Sequence, residues 1–299
     1  MKRMPIRRLL ALFFVAATGA PGQTAAARPA PLGRMVDVGG YHLHLYCTGA
    51  GSPTVLVAGA GYSFDWALVQ PEVARFTAIC TYDISGTAWS DPGPVLTCRE
   101  RVNEIHQLIR AAPIDTPLIL VGLSLGACVA RLYAALYPSE VAGMVIVDHA
   151  FAPDPDPGPG KSPPRADVDT LPVLIYQAPI ELTVEDTSEF HHLPERVQQL
   201  HRWADSLHPQ RPGWEDAEDC LAQLKTAAAG PYPLGNLPLA VVRTNNQARG
   251  YDRLQKALLA LSHRSSQTIA ARSFHSVEID QPEVVVEAIR RIVEQAGKR

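Results

Sequence analysis

The pentapeptide Gly122-Leu123-Ser124-Leu125-Gly126 has the residue types and spacing for nucleophilic chemistry. Glycines two residues either side of a serine permit a sharp strand-to-helix corner, because no Cβ blocks the close approach of backbone. Leu118–Val121 reads as a strand just before this corner, and Leu125–Tyr137 reads as a helix just after it. Ser124 would stand at the tip as a nucleophile, and N–H groups at the helix start would face a developing negative charge. Leu125 N–H is one such donor. The second candidate is Ala60 N–H, in the Gly59-Ala60-Gly61 turn after the strand Thr54–Ala58. A serine hydroxyl needs a base. His275 is best placed among ten histidines, between the final strand candidate and the last helix. A third group must orient that imidazole. Asp148 ends the strand Met144–Val147, at the carboxyl edge where sites on open α/β sheets form. Asp252, beyond the strand Leu239–Val242, is the alternative; position favours Asp148.

These residues need a frame that brings distant strand ends together. Thr54–Ala58, Ala78–Tyr82, Leu118–Val121, Met144–Val147, Leu239–Val242 and Thr268–Ala271 are short apolar runs without polar alternation. That is the pattern of strands covered on both faces of a parallel sheet. Tyr41–Cys47 alternates, which predicts an early strand with one wetter face carrying His42 and His44. Helical spacing marks Arg99–Ala111, Leu125–Tyr137 and Pro282–Gln295 between the strands. Strand–helix alternation predicts an α/β sheet with helices on both faces. The rhythm breaks over 150–236, which opens with Pro153–Gly160 (PDPDPGPG) and then runs through the polar helical segments Leu193–Trp203 and Asp216–Ala228. This stretch reads as a cap inserted between a first core part, 34–149, and a second, 237–299. Its Trp203, Trp214, Phe190 and Tyr232 could line a substrate pocket, and its His201 and His208 are expected to be exposed.

Residues 1–27 carry Lys2, Arg3, Arg7 and Arg8, then an apolar centre from Leu9 to Ala17 and small residues ending at Ala27. This is the pattern of a cleaved export signal, and it predicts a periplasmic or secreted protein. Cleavage after Ala27 would take the formal charge from −3 to −7. Residues 28–33 read as a Pro-rich lead-in outside the fold. Five cysteines cannot all pair within one chain, so one or two bridges and a free thiol are expected. Charged residues make up only 19%, below the usual quarter, and no basic block lies beyond the signal, which argues against a nucleic-acid binder. No apolar run reaches the roughly 18 residues that span a bilayer. No phosphate-cradle motif or metal-ligand spacing occurs, so neither a metal nor an organic cofactor is implied. A small molecule is the expected partner.

With these residues assembled, the chain resembles the α/β-hydrolase superfamily over roughly 34–148 and 235–296. The resemblance is carried by Gly40–Gly51, Phe64-Asp65-Trp66, Tyr82-Asp83, Ser124, Arg131–Pro138, Val141–Asp148 and His275 with Asp280–Glu283. It implies a mostly parallel eight-stranded sheet flanked by helices, with an inserted helical cap. An acid after the sixth strand is similar to the arrangement in dehalogenase-like members. Such sequences often read Gly-His-Ser-x-Gly-Gly and Tyr-Asp-Arg-x-Gly, whereas here Leu123, Ala127 and Ile84 replace the His, the last Gly and the Arg. These departures bear on substrate class and pocket polarity. The resemblance implies an exported serine hydrolase that cleaves an ester or related acyl substrate through an acyl-enzyme. Acyl transfer, amide cleavage and C–C cleavage use the same machinery. A non-catalytic ligand-binding protein on the same scaffold is the rival from another class.

Overall fold

The computed structural model describes residues 28–59, 61–94, 97–149, 189–207, 214–228, 232–246 and 251–297, without the side chains of 189 and 214–217. The proposed signal 1–27, Ala60, His208, much of the cap and the Trp214 side chain lie outside that description.

An eight-stranded sheet runs in the order β1-β2-β4-β3-β5-β6-β7-β8. Its strands are β1 (Arg34–Asp37), β2 (His42–Thr48), β3 (Val55–Val57), β4 (Ile79–Tyr82), β5 (Leu118–Leu123), β6 (Val141–Val147), β7 (Leu239–Thr244) and β8 (Ser265–Ala270). Strand β2 is antiparallel to both its neighbours, and every other pairing is parallel. All residues of β3, β4, β5 and β6 are buried, as their unbroken apolar runs require. Helices cover both faces. Among them are α1 (Gln70–Val73), α2 (Cys98–Ala111), α3 (Leu125–Leu136), α6 (Tyr251–Leu259), α7 (Val277–Asp280) and α8 (Pro282–Ala296). One core layer packs Val102, Ile105 and Leu108 of α2 and Val129 and Leu132 of α3 against one sheet face. The other packs Val285, Ile289 and Ile292 of α8 against Val121, Val145 and Val242.

Two helices fall within the stretch 150–236, α4 (Glu195–Leu207) and α5 (Trp214–Ala227), and α5 buries Cys220 and Leu224 in the same core layer as α2 and α3. Helix α5 is stapled to α2 by the Cys98–Cys220 disulfide, and β2 is stapled to β4 by Cys47–Cys80. Cys128 is the free thiol, buried in α3.

The lead-in 28–33 is fastened to the core. Arg28 donates from its guanidinium to Trp89 O at 2.5 Å, and the Trp89 indole donates to Pro29 O at 2.8 Å. Gly33 N–H donates to His44 Nε2 at 2.9 Å. A Cβ on Gly33 would sit 2.0 Å from Leu45 O, so only glycine lets the chain pass here. This covering strap corrects the expectation for β2: His42 is exposed, but His44 is 0% exposed.

Candidate active site

Strand β5 ends at Leu123 and α3 begins at Leu125, so Ser124 alone makes the corner. Its φ of 52° and ψ of −120° lie where L-residues are strained, a conformation that persists only where surrounding structure holds it. The holding groups are visible. Ser124 N–H donates to Val147 O at 3.0 Å, and Ser124 O accepts from Ala127 N–H at 3.1 Å. A Cβ on Gly122 would lie 2.5 Å from Ala127 N and from the carbonyl of Gly126, so the glycine is a steric necessity of the corner. Leu125 N–H belongs to the first helical turn, whose N–H groups have no intrahelical acceptor.

The β5–β6 register sets Leu123 opposite Val147, which brings Ser124 beside the end of β6. There Asp148, at φ 37° and 1% exposed, is tied by its N–H to Val242 O at 2.8 Å. Its Oδ2 lies 2.8 Å from His275 Nδ1. A carboxylate only accepts, so Nδ1 carries the proton of that bond, and in the neutral ring Nε2 is the nitrogen with the lone pair. Asp148 Oδ1 accepts from Thr244 Oγ1 at 3.0 Å and from the Tyr251 hydroxyl. Thr244 and Tyr251 were not singled out in the sequence, and they fix which carboxylate oxygen faces the imidazole. Burial, reinforced by the charge of Asp148, pushes the Tyr251 phenol well above its ordinary range, so it stays a donor. Asp252, one residue on, points elsewhere: its side chain is 72% exposed and pairs with Arg243. His275 is 36% exposed, and its loop is held by Phe274 N–H on Asp280 Oδ2 at 3.0 Å. Asp148 and His275 are thus in direct contact, and Ser124 is adjacent through the main chain. Among the described residues no hydrogen bond joins Ser124 Oγ to His275, a contact that often tightens only around bound substrate.

Ala60 is outside the described residues, but both its neighbours have positive φ, Gly59 at 37° and Gly61 at 73°. A Cβ would meet Tyr82 Oη at 2.7 Å from Gly59 and Asp65 Oδ2 at 2.0 Å from Gly61. The chain just beyond is pinned by two acids, half-buried Asp65 and buried Asp83. Tyr62 N–H donates to Asp65 Oδ2 and Ser63 N–H donates to Asp83 Oδ1, each at 2.7 Å. Asp83 Oδ2 also receives His44 Nδ1–H at 2.8 Å. The supporting His44–Asp83 pair was hidden in sequence by the alternation of β2.

The model of the family described as alpha/beta hydrolase fold matches residues 53–225, more than half of the chain. The chain belongs to that family. This α/β hydrolase is 23% identical over 262 residues to the uncharacterized protein YqjL of Bacillus subtilis, covering 85% of the chain and 88% of that protein. It is 30% identical over 124 residues to the 2-hydroxy-6-oxo-2,4-heptadienoate hydrolase of Pseudomonas putida, covering 40% of the chain and 45% of that enzyme. Among solved structures, a thermophilic esterase from Thermogutta terrifontis superposes with a TM-score of 0.61 at 21% identity, covering 86% of this chain and 94% of that one.

In this hydrolase the cap region touches both loops that flank the serine. Tyr62 donates its hydroxyl to Asp205 Oδ1 of α4 at 2.8 Å, and His201 Nε2 approaches Asp65 Oδ1 to 2.6 Å. His192 Nδ1 lies 3.3 Å from Asp280 Oδ1. His201 is therefore buried, against the expectation of a solvated cap histidine. Trp203 packs on Trp89 with ring centroids 5.0 Å apart, Tyr232 stacks on His263, and Phe190 is exposed.

Proposed function

We propose that this α/β hydrolase is an exported serine hydrolase that cleaves an ester or related acyl substrate through an acyl-enzyme. The observation that carries the proposal is Asp148 Oδ2 at 2.8 Å from His275 Nδ1, set beside a serine at a strained strand–helix corner. Ser124 Oγ attacks the substrate carbonyl as His275 Nε2 takes its proton, and the imidazolium then protonates the leaving group. Asp148 holds the ring so that Nε2 is the basic nitrogen and stabilises the positive charge that forms. Leu125 N–H and Ala60 N–H receive the oxyanion, each contributing on the order of 3–4 kcal/mol to the transition state. Water activated by His275 then releases the acyl group. A serine at this corner, rather than an aspartate, favours acyl chemistry over alkyl-enzyme chemistry. Two disulfides and the basic–apolar–small pattern of 1–27 support an oxidising, extracytoplasmic location.

The partial match to a 2-hydroxy-6-oxo-2,4-heptadienoate hydrolase favours a second substrate class for the same residues, a 2-hydroxy-6-oxo-2,4-dienoate. Fluorophosphonate labelling tests the serine chemistry: folded protein should be modified at Ser124, and Ser124→Ala should not. Equal labelling of the two, or none, overturns the proposal. Hydrolysis of p-nitrophenyl esters of graded acyl length, run beside a 2-hydroxy-6-oxo-2,4-dienoate, separates the two substrate classes.

A further inference from the structure

The residue after Asp148 makes a second connection to the elbow. His149 is 0% exposed, and its Nδ1 lies 3.0 Å from the main-chain carbonyl oxygen of Ser124. A carbonyl oxygen can only accept, so Nδ1 carries the proton and Nε2 has a lone pair. That lone pair faces Cys128 Sγ at 3.8 Å, one turn along α3 from the serine, where a buried S–H is the donor. The main chain of His149 is itself fixed, since Gln255 Nε2 donates to its carbonyl at 2.9 Å.

The end of β6 therefore holds the site at three consecutive residues. Val147 O accepts Ser124 N–H, Asp148 orients His275, and His149 grips Ser124 C=O. Ser124 is held at both its N–H and its C=O by residues at the end of one neighbouring strand. We infer that His149 is a positioning residue for this hydrolase: it holds the strained backbone of Ser124, and hence the line of attack of Oγ, without touching substrate. The inference rests on the reading of Ser124 as the nucleophile. Burial, together with the nearby Arg131 guanidinium, pushes the His149 pKa down to about 3, so the clamp does not titrate in the working range. The other titratable groups around it are Cys128, whose thiol burial pushes up to about 11, Asp148 and His275.

Three variants of the full chain separate placement from mere packing. In His149→Asn the amide Nδ2 takes the place of Nδ1 and can still donate to Ser124 O. In His149→Gln the amide nitrogen lies where Nε2 was, so the donor is lost from the right place. In His149→Leu the donor is absent. Each is assayed by p-nitrophenyl ester kinetics, by the second-order rate of fluorophosphonate labelling, and by thermal unfolding. A nucleophile displaced by a fraction of an ångström to 1 Å loses roughly ten- to a hundredfold in rate. His149→Gln and His149→Leu should lose that in kcat and in labelling rate with KM within about twofold, whereas His149→Asn should stay within about threefold of wild type. The acid limb of the kcat/KM profile, which reports His275, should not move in His149→Asn. The inference is overturned if His149→Gln matches His149→Asn, or if labelling of His149→Gln proceeds at the wild-type rate. Wild-type protein that resists the probe would instead sink the serine-hydrolase reading itself, so the two failures are distinct; if His149→Leu does not fold, the Asn/Gln pair decides alone.

Discussion

Replacing Asp148 by asparagine should all but abolish turnover, while the same change at Asp252 should be nearly silent. Asp148 Oδ1 receives the Thr244 and Tyr251 hydroxyls, so in Asp148→Asn the amide oxygen is expected on that side and the NH2 group faces His275. Turning the amide round would press NH2 against two hydroxyl oxygens, and that of Tyr251 already accepts Thr244 N–H at 3.1 Å. With N–H facing Nδ1, the ring must offer Nδ1 as an acceptor and carry its proton on Nε2. That tautomer cannot accept the proton of Ser124. The corresponding change in a serine protease lowers kcat by about 10⁴-fold, equivalent to about 5 kcal/mol of transition-state stabilisation. Asp252 is 72% exposed and pairs with Arg243 at the surface, an interaction worth about 0–1 kcal/mol to stability and nothing to the site. Its asparagine variant should keep kcat/KM within about twofold. Both variants are compared by ester kinetics between pH 5 and 9 after unfolding curves show them folded. Asp148→Asn within tenfold of wild type, or Asp252→Asn down by more than tenfold, would refute the assignment.

Three further outcomes follow from the same contacts. Tyr251→Phe removes the phenol donor from Asp148 Oδ1 while Thr244 still donates there, and removing a hydrogen bond to a buried charged group costs about 1.5–3 kcal/mol; kcat should fall roughly ten- to a hundredfold, read by the same ester assay, with Asp148→Asn adding little to Tyr251→Phe in the double variant. The Cys98–Cys220 bridge closes a separation of 122 residues, so the paired Cys98→Ala, Cys220→Ala variant should lose about 2–5 kcal/mol in denaturant unfolding; an unchanged midpoint would show that the bridge does not form. His149 remains unprotonated in the folded state down to about pH 3, whereas the unfolded chain protonates it near pH 6.5; its contribution is present above pH 6.5 and is lost as pH falls toward 3, by up to about 1.4 kcal/mol per unit, and His149→Asn should flatten that part of the stability–pH curve.

The fold was most legible where burial is two-sided. Leu118–Val121 and Met144–Val147 announce β5 and β6 because a strand covered on both faces admits no polar position. The signal fades at the sheet edges. Strand β1 (RMVD) has one buried residue in four, and β8 (SSQTIA) has one in six, so β1 was not anticipated and β8 was placed three residues late, at Thr268–Ala271. Backbone pairing holds these edges, and backbone leaves little trace in side-chain pattern.

The candidate site divides along the same line. Ser124 and His275 were recoverable because the glycine spacing of a strained corner and the order of elements are properties of the chain itself. For the acid, position alone favoured Asp148 and kept Asp252 as the alternative; what the chain could not express is that Asp148 is the acid buried against the imidazole. His44 shows the limit most sharply: its H-x-H setting on an alternating strand predicts a wet face, yet a strap from Gly33 and the ring of Trp89, 4.7 Å away, seal it. A residue's exposure is decided by segments far off in sequence, and several contacts that steady this site are of that kind: Tyr251 on Asp148, separated by 103 residues, His149 on Ser124, by 25, and Asp83 on Ser63, by 20. The groups proposed to react are written locally, whereas those that hold them still are written in pairs that only folding brings together. For that reason substitutions at Tyr251 or His149 should act on kcat more than on KM, since they alter the aim of the reacting groups and leave the walls of the pocket in place.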